Sequence, residues 1–212
     1  MMRVPRLLLF VACVATLLPA SGCLKRTKIS ETYVLDAVAA REAPTPSEAP
    51  EAVVGVLRVG VPGWIDRPQL SARGATGQIV TNEFARWGEP VAKGMQRVMA
   101  ENLAALLPTR RVVAAPWPPN EIVDQRVDVT LSEAARQADG SVLVEARWAL
   151  LGATGTTLVQ RRTSHRAHPT AAGAAGAVEG VNEALAELSR EIAAALRSLP
   201  PRPGSSDRAS QK

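Results

Sequence analysis

A chain of 212 residues, 46% of them apolar, suits one domain with one core. Its 25 basic and 20 acidic residues leave a net charge of +5, too mild to argue for nucleic acid, and an aromatic content of 3% argues against stacking platforms for bases or sugars. Both cysteines, Cys13 and Cys23, lie near the N-terminus, so the body of the chain has no thiol for a disulfide, a zinc site or thiol catalysis.

Residues 1–22 have the three parts of a secretory signal: a basic start at Arg3 and Arg6, an apolar run from Leu7 to Leu18, and a small-residue end at Ala20, Ser21 and Gly22. The run is too short to span a bilayer, which needs about 20 residues. A cysteine directly after the small residues resembles the lipobox of bacterial lipoproteins, with Ala20 standing where Leu is more usual. That resemblance implies that Cys23 carries a diacylglycerol on its thiol and a third acyl chain on its amine. Cys13, inside the apolar run, would leave too short an h-region to be the modified residue. Two or more acyl chains hold a protein stably at a membrane without spanning it. Without residues 1–22 the net charge falls from +5 to +3, because Arg3 and Arg6 are the only charged residues there.

Residues 23–30 then read as a short lipidated tether, and a small apolar stretch follows at Tyr33-Val34-Leu35. The Pro-rich stretch 36–51, with Pro44, Pro46 and Pro50, reads as a flexible loop. Val53 to Val61 is rich in β-branched residues and ends at Pro62-Gly63, which predicts a strand buried on both faces. Trp64-Ile65-Asp66-Arg67-Pro68 follows as a turn with a large apolar anchor. A helix is expected to begin at Glu89-Pro90, where proline is tolerated in a first turn. Val91, Met95, Val98, Met99, Leu103, Leu106 and Leu107 continue it as one stripe, and Pro108 ends it.

Arg111-Val112-Val113 predicts a short strand, and Ala115-Pro116-Trp117-Pro118-Pro119 a non-helical loop. Val127, Val129 and Leu131 alternate with polar neighbours, as do Val142, Val144, Ala146, Trp148 and Leu150. With Asp139-Gly140 between them, the two runs predict an antiparallel hairpin, and Thr156 to His165 a third strand beside it. Val178, Val181, Leu185, Leu188, Ile192 and Leu196 predict a second amphipathic helix, stopped at Leu199-Pro200-Pro201. The expected fold is therefore α+β, a two-layer domain over 31–199, with a mainly antiparallel sheet and both helices packed on one face. Residues 200–212 read as a disordered tail.

No phosphate-cradling glycine loop, Gly-x-Ser-x-Gly elbow or His-Glu-x-x-His helix is present. His165 and His168, spaced by three on an extended stretch, point to opposite faces and do not make a metal site together. Arg161, Arg162 and Arg166, with His165 and His168 between or beside them, form a basic cluster that can meet anionic headgroups or an acidic partner, whereas a solvated strand face explains it more simply. Asp66 and Arg67 are the most specific-looking polar pair. An acid beside an arginine can bind a charged group, whereas a side-chain cap on a tight turn explains the same residues more simply. Trp87, Trp117 and Trp148 suit core or rim packing.

Tyr33-Val34-Leu35 after a lipobox, Val56 to Pro62, Trp64-Ile65-Asp66-Arg67-Pro68-Gln69-Leu70 and Arg86-Trp87-Gly88-Glu89-Pro90-Val91 resemble the PqiC (YmbA-like) lipoproteins, also called ABC-type transport auxiliary lipoproteins. The similarity continues through Glu101-Asn102-Leu103 and Ala115-Pro116-Trp117-Pro118 to the closing helix. Trp64 stands where that family usually has Tyr, and Gly88 where it usually has Ala. The resemblance implies a non-catalytic outer-membrane lipoprotein facing the periplasm, with no cofactor beyond the covalent lipid. Its implied partner is an MCE-domain protein reaching across from an inner-membrane permease or ABC transporter, and the lipoprotein is expected to form a homo-oligomeric ring. Leu24 in place of the Asp that favours inner-membrane retention agrees with that address. Trp64, Asp66, Arg67, Pro68, Gln69, Arg86 and Trp87 are the candidate interface or fold-supporting residues. A lipoprotein hydrolase using His165 or His168, and a general envelope-assembly scaffold, are the alternative functions.

Overall fold

The computed structural model describes residues 29–42 and 52–199. In chain order, β1 (Glu31–Tyr33), a 3-10 turn (Val38–Glu42), β2 (Ala52–Val56), β3 (Gln69–Arg73) and β4 (Ile79–Trp87) precede helix α1 (Val91–Leu106). Strands β5 (Arg110–Ala114), β6 (Gln125–Arg136), β7 (Val142–Gly152) and β8 (Thr157–Ala167) separate it from helix α2 (Gly173–Ser198). The eight strands form one sheet, and the chain has the expected α+β architecture. Its longest ladders, β6–β7 and β7–β8, are antiparallel, as is β3–β4. The shorter pairings β1–β4, β2–β5, β2–β6 and β3–β6 are parallel, which makes the sheet mixed.

β6 organises this sheet. Along one side it pairs with β7, from Gln125 opposite Gly152 to Arg136 opposite Val142. Along the other side its first residues pair with Val54–Val56 of β2, and its last, Arg136, with Ala72 of β3. Gly60 bridges to Thr130 between these two contacts. One long strand therefore carries two short sub-sheets, β2–β5 and β3–β4–β1. The period-2 pattern fixes its orientation: Val127, Val129 and Leu131 are buried while Asp128, Thr130 and Ser132 are exposed. Val142, Val144, Ala146, Trp148 and Leu150 of β7 turn inward with them. At the hairpin, Gly140 takes the left-handed conformation at φ +86°, and the Asp139 carboxylate accepts the Ser141 N–H (3.0 Å) and hydroxyl (2.6 Å).

The helices bury the stripes their spacing predicts. Val91, Met95, Val98, Met99 and Leu103 of α1 and Val178, Val181, Leu185, Leu188, Ile192 and Leu196 of α2 join the sheet side chains in one core. The two helices touch each other, α1 lying over β2 and β5 and α2 over β6, β7 and β8. Two glycines make room along α2: a Cβ on Gly180 would lie 2.5 Å from Val142 Cγ2 of the sheet, and one on Gly176 only 2.0 Å from the carbonyl oxygen of Ala171, in the loop leading into the helix.

Four segments differ from expectation. The strand expected over Val53 to Val61 ends at Val56; beyond it Arg58 turns to solvent and the segment keeps to β6 through Leu57 N–H to Val127 O and Gly60 N–H to Val129 O, both 2.9 Å, and Leu131 N–H to Gly60 O, 2.8 Å. The hairpin β3–β4 was not foreseen, because β4 exposes Val80 and Phe84 and so lacks a clean apolar alternation. Arg86 and Trp87, which shortly precede the helix start expected at Glu89-Pro90, are the end of β4. Within the Pro-rich stretch 36–51, Val38–Glu42 form the 3-10 turn against α1; residues 43–51 lie outside the described residues. So do the expected signal peptide, the tether up to Lys28 and the tail from Pro200.

Candidate functional site

The turn from Pro62 to Pro68 is built by backbone bonds around one buried side chain. The Pro62 carbonyl accepts the N–H groups of Ile65 (2.9 Å) and Asp66 (3.0 Å), and Arg67 N–H bonds Ile65 O at 2.7 Å. Ile65 is buried beneath, which leaves Asp66, Arg67 and Pro68 on the outside. The turn does not use the Asp66 side chain as a cap. Neither Asp66 nor Arg67 makes a side-chain hydrogen bond or ion pair within the described residues, so the structural explanation favoured for this pair at the sequence level has no bond to support it.

Next to the turn, Trp87 N–H bonds Pro68 O at 2.7 Å, and Gly88 N–H bonds Tyr33 O at 2.7 Å. These bonds bring the end of β4 and the start of α1 alongside the turn. Between them runs a shallow groove of about 350 Å³, lined by Asp66, Arg67, Pro68, Trp87, Gly88, Glu89, Pro90 and Val91. Four of the seven candidate residues thus converge, although they lie about twenty positions apart in sequence. Gln69 and Arg86 sit beside the groove as register partners. Trp64 turns elsewhere: its ring lies 5.1 Å beneath the Arg73 guanidinium, which pairs with buried Glu133 at 2.6 Å. Cys23 lies outside the described residues.

Glu89, on the groove wall, is committed to the fold. Arg97 pairs with it at 2.6 Å, and also with Glu101 at 3.2 Å, while donating to Leu35 O at 2.8 Å. The hydrogen bond to Glu89 is the largest cause of the raised Arg97 pKa, so this guanidinium stays charged. Sequence reading passed over Arg97, although its spacing of four from Glu101 on a helix was a usable signal. Two buried asparagines extend this clamp on the N-terminal segment. Asn182 Oδ1 accepts Asp36 N–H (3.1 Å), and Asn102 Oδ1 accepts Ala39 N–H (3.0 Å).

The groove therefore offers an exposed acid, an exposed base, a proline and an aromatic edge on a rigid frame. Among its lining residues no nucleophile is paired with a base. The histidines lie elsewhere. His165 Nε2 is 3.3 Å from Glu191 Oε2 on α2, and no serine hydroxyl bonds His165 or His168 among the described residues. Arg161 stacks over Trp148 at 5.7 Å, and Arg166 donates to the Ser141 hydroxyl at 2.5 Å, so two of the three strand arginines have folded-state partners. Trp148 is buried as expected, and Trp117 covers Gly55. Among the described residues no three His, Cys, Asp or Glu side chains converge as a metal site, and no helix is long and apolar enough to cross a membrane.

A family model described as ABC-type transport auxiliary lipoprotein component matches residues 33–193. No protein of curated function matches the chain. Among solved structures, an uncharacterized protein shares 20% identity with a TM-score of 0.66, covering 79% of this chain and 99% of its own. Protein XCC0632 from Xanthomonas campestris, assigned to DUF330, shares 14% identity with a TM-score of 0.63, covering 86% of this chain and 100% of its own. At these identities the two structures speak to the fold alone.

Proposed function

The chain belongs to the ABC-type transport auxiliary lipoprotein family, and from that premise we propose that it is the outer-membrane-anchored, non-catalytic docking subunit of an MCE-type lipid-transport system. Acylated Cys23 fixes the domain to the membrane on its periplasmic side, and the groove at Asp66, Arg67, Pro68 and Trp87 binds the MCE-domain partner that spans from the inner-membrane permease or ABC transporter. One observation carries the assignment of the groove. Asp66 and Arg67 are exposed, engage no other side chain among the described residues, and sit on a turn that needs neither of them, beside an aromatic edge. Adjacent opposite charges beside a half-buried aromatic suit a protein-recognition patch, where the charges set register and the aromatic edge supplies contact area. A homo-oligomeric ring of such subunits would present the groove repeatedly around one axis.

The test is photo-crosslinking in cells from single positions 66, 67 and 87, with Leu158 as a control on the far strand. Capture of an MCE-domain protein from the three groove positions and not from Leu158 is the expected result. Equal capture from all four positions, or none from the groove, removes the docking assignment.

A further inference from the structure

Arg161, Arg162 and Arg166 lie close together on β8, yet the fold gives them different surroundings. Arg161 lies over the ring of buried Trp148, and Arg166 bonds the Ser141 hydroxyl. Arg162 makes no side-chain hydrogen bond or ion pair among the described residues, and neither does Arg147, its register partner on β7. Arg147 stands between buried Ala146 and Trp148, and Thr130, its partner on β6, between buried Val129 and Leu131. Those buried neighbours join the helices in the core, so Thr130, Arg147 and Arg162 form one row across three strands on the face turned away from the helices. Like charges directly opposite on neighbouring strands repel, and folding gives no reason for the arginine pair. Around the row is an open hollow of about 500 Å³, whose walls include Ser132, Glu145 and Ser164. A register shift between Leu131 and Glu133 leaves Ser132 without a partner on β7, a bulge beside the hollow. Glu145, two residues before Arg147, makes no ion pair among the described residues, and its carboxylate lies 3.5 Å from the Ser132 hydroxyl. Asp128 stands in the next row, opposite Ala149, and does not line the hollow.

We propose that this hollow binds a phosphorylated amine of the phosphoethanolamine type. Arg147 and Arg162 take the phosphate oxygens, with the hydroxyls of Thr130 and Ser164 beside them, and Glu145 takes the ammonium. Guanidinium forks donate in pairs to phosphate oxygens, and two forks with two hydroxyls offer more donors than one carboxylate can accept. Glu145 sets the preference. A carboxylate in the wall works against a bare anion and favours a ligand that brings a positive charge next to its phosphate. Two steps along a strand put Glu145 and Arg147 about 7 Å apart, a separation that suits a short linker between phosphate and nitrogen. The same group occurs free and at the head of a lipid, and the chemistry of the hollow is common to both. None of its residues belongs to the groove at Asp66 and Trp87, so this site is independent of the docking assignment.

The full chain, purified in a neutral detergent at constant ionic strength, tests this by calorimetric titration and by its unfolding midpoint. The probes are phosphoethanolamine, glycerophosphate, glutarate and the short-chain lipid dihexanoylphosphatidylethanolamine. The parent should bind the phosphorylated amine, free or on the lipid, more tightly than glycerophosphate, and its midpoint should rise with it. Arg147→Gln and Arg162→Gln should each weaken binding by at least about tenfold. Their ligand-free midpoints should be no lower than the parent's, because a repulsion is removed. Glu145→Gln should keep the binding of glycerophosphate and lose the preference for the amine. Arg58→Gln, at an exposed arginine outside the hollow, should bind as the parent does. Binding of free phosphoethanolamine alone supports the site with a soluble ligand, and binding of the lipid supports it with a headgroup. Binding of neither overturns the proposal, as does parent-like binding in the arginine variants or a fall in their ligand-free midpoints. A preference absent from the parent, or kept in Glu145→Gln, overturns it as well. Tighter binding of glutarate than of the phosphorylated amine does so too, and assigns the arginines to the carboxylates of an acidic protein.

Discussion

Trp87 donates its backbone N–H to the carbonyl oxygen of Pro68 at 2.7 Å, and this bond stitches the turn carrying Asp66 and Arg67 to the strand end that leads into α1. The frame of the groove is therefore made by main chain, and its charged side chains are left over from folding.

Asp66→Ala and Arg67→Ala should accordingly leave stability within about 0.5 kcal/mol of the parent, as is usual for exposed positions. Trp87→Ala, which strips a half-buried ring from the core margin, should cost about 3 kcal/mol. Thermal or urea unfolding of the three variants distinguishes them. A large loss for Asp66→Ala or Arg67→Ala would mean that these side chains hold the fold.

Two glycines make α2 intolerant of added carbons, Gly180 against the sheet and Gly176 against the loop leading into the helix. Gly180→Leu, facing Val142, and Gly176→Ala, facing the Ala171 carbonyl, should each destabilise by about 1–3 kcal/mol through overpacking. Ala substitution at Gly63, where an added Cβ meets nothing within 4 Å, is the matched control and should be close to neutral.

Asn102 and Asn182 hold main-chain N–H groups of Ala39 and Asp36 from two different helices. Replacing either with Ala should cost about 1–2 kcal/mol, the usual range for a lost buried acceptor. Hydrogen exchange resolves the effect. Amides from Leu35 to Ala40 should lose protection in both variants, while those of β7 keep theirs.

The start of α2 carries a pH-dependent contribution. Glu179 accepts the backbone N–H of Ala171, then the N–H and hydroxyl of Thr170, and these bonds hold its carboxyl below its ordinary value of 4.5. A carboxyl with a depressed folded pKa stabilises the fold fully above its unfolded value and loses that contribution as pH falls through the folded one. Glu179→Gln should therefore melt below the parent at neutral pH, with the gap closing between about pH 5 and pH 3. Melting curves across that range measure it, and a gap that widens on acidification has the wrong sign.

Cys23→Ser should release the chain from the membrane fraction without changing the unfolding midpoint of the domain, since Cys23 precedes every element of the described residues. Fractionation after alkaline washing reads the first part, and full retention in membranes would contradict the anchor.

Strong periodicity made the two helices and the β6–β7–β8 meander legible in sequence, because Leu185, Leu188 and Ile192, or Val142, Val144 and Ala146, each repeat one contact with one core. The β3–β4 hairpin was hidden for a physical reason. Val80 and Phe84 are exposed, and a register shift interrupts β4 between Asn82 and Arg86, so the alternation that identifies a half-buried strand is blurred. The groove was half visible. Asp66-Arg67-Pro68 and Arg86-Trp87 stood out as segments, but only the bond from Trp87 to Pro68 brings them together. The clamping role of the two asparagines was hidden because their partners are main-chain groups of Asp36 and Ala39, and composition carries no trace of such pairings, whereas Arg97 was passed over although Glu101 lies four residues on along the helix.

The parallel pairing of β1 with β4 has a mechanical consequence. A pull on the chain at Ile29 runs along the strand axis, so the ladder from Glu31–Ala85 to Tyr33–Trp87 is loaded in shear, its bonds sharing the force instead of opening one after another. Immediately behind it, Arg97, Asn182 and Asn102 grip Leu35, Asp36 and Ala39 from both helices and pass the load into the core. The entry of the chain into the domain is built like a cleated rope: tension on the leader is taken up within a few residues, and the groove beyond Trp87 keeps its shape.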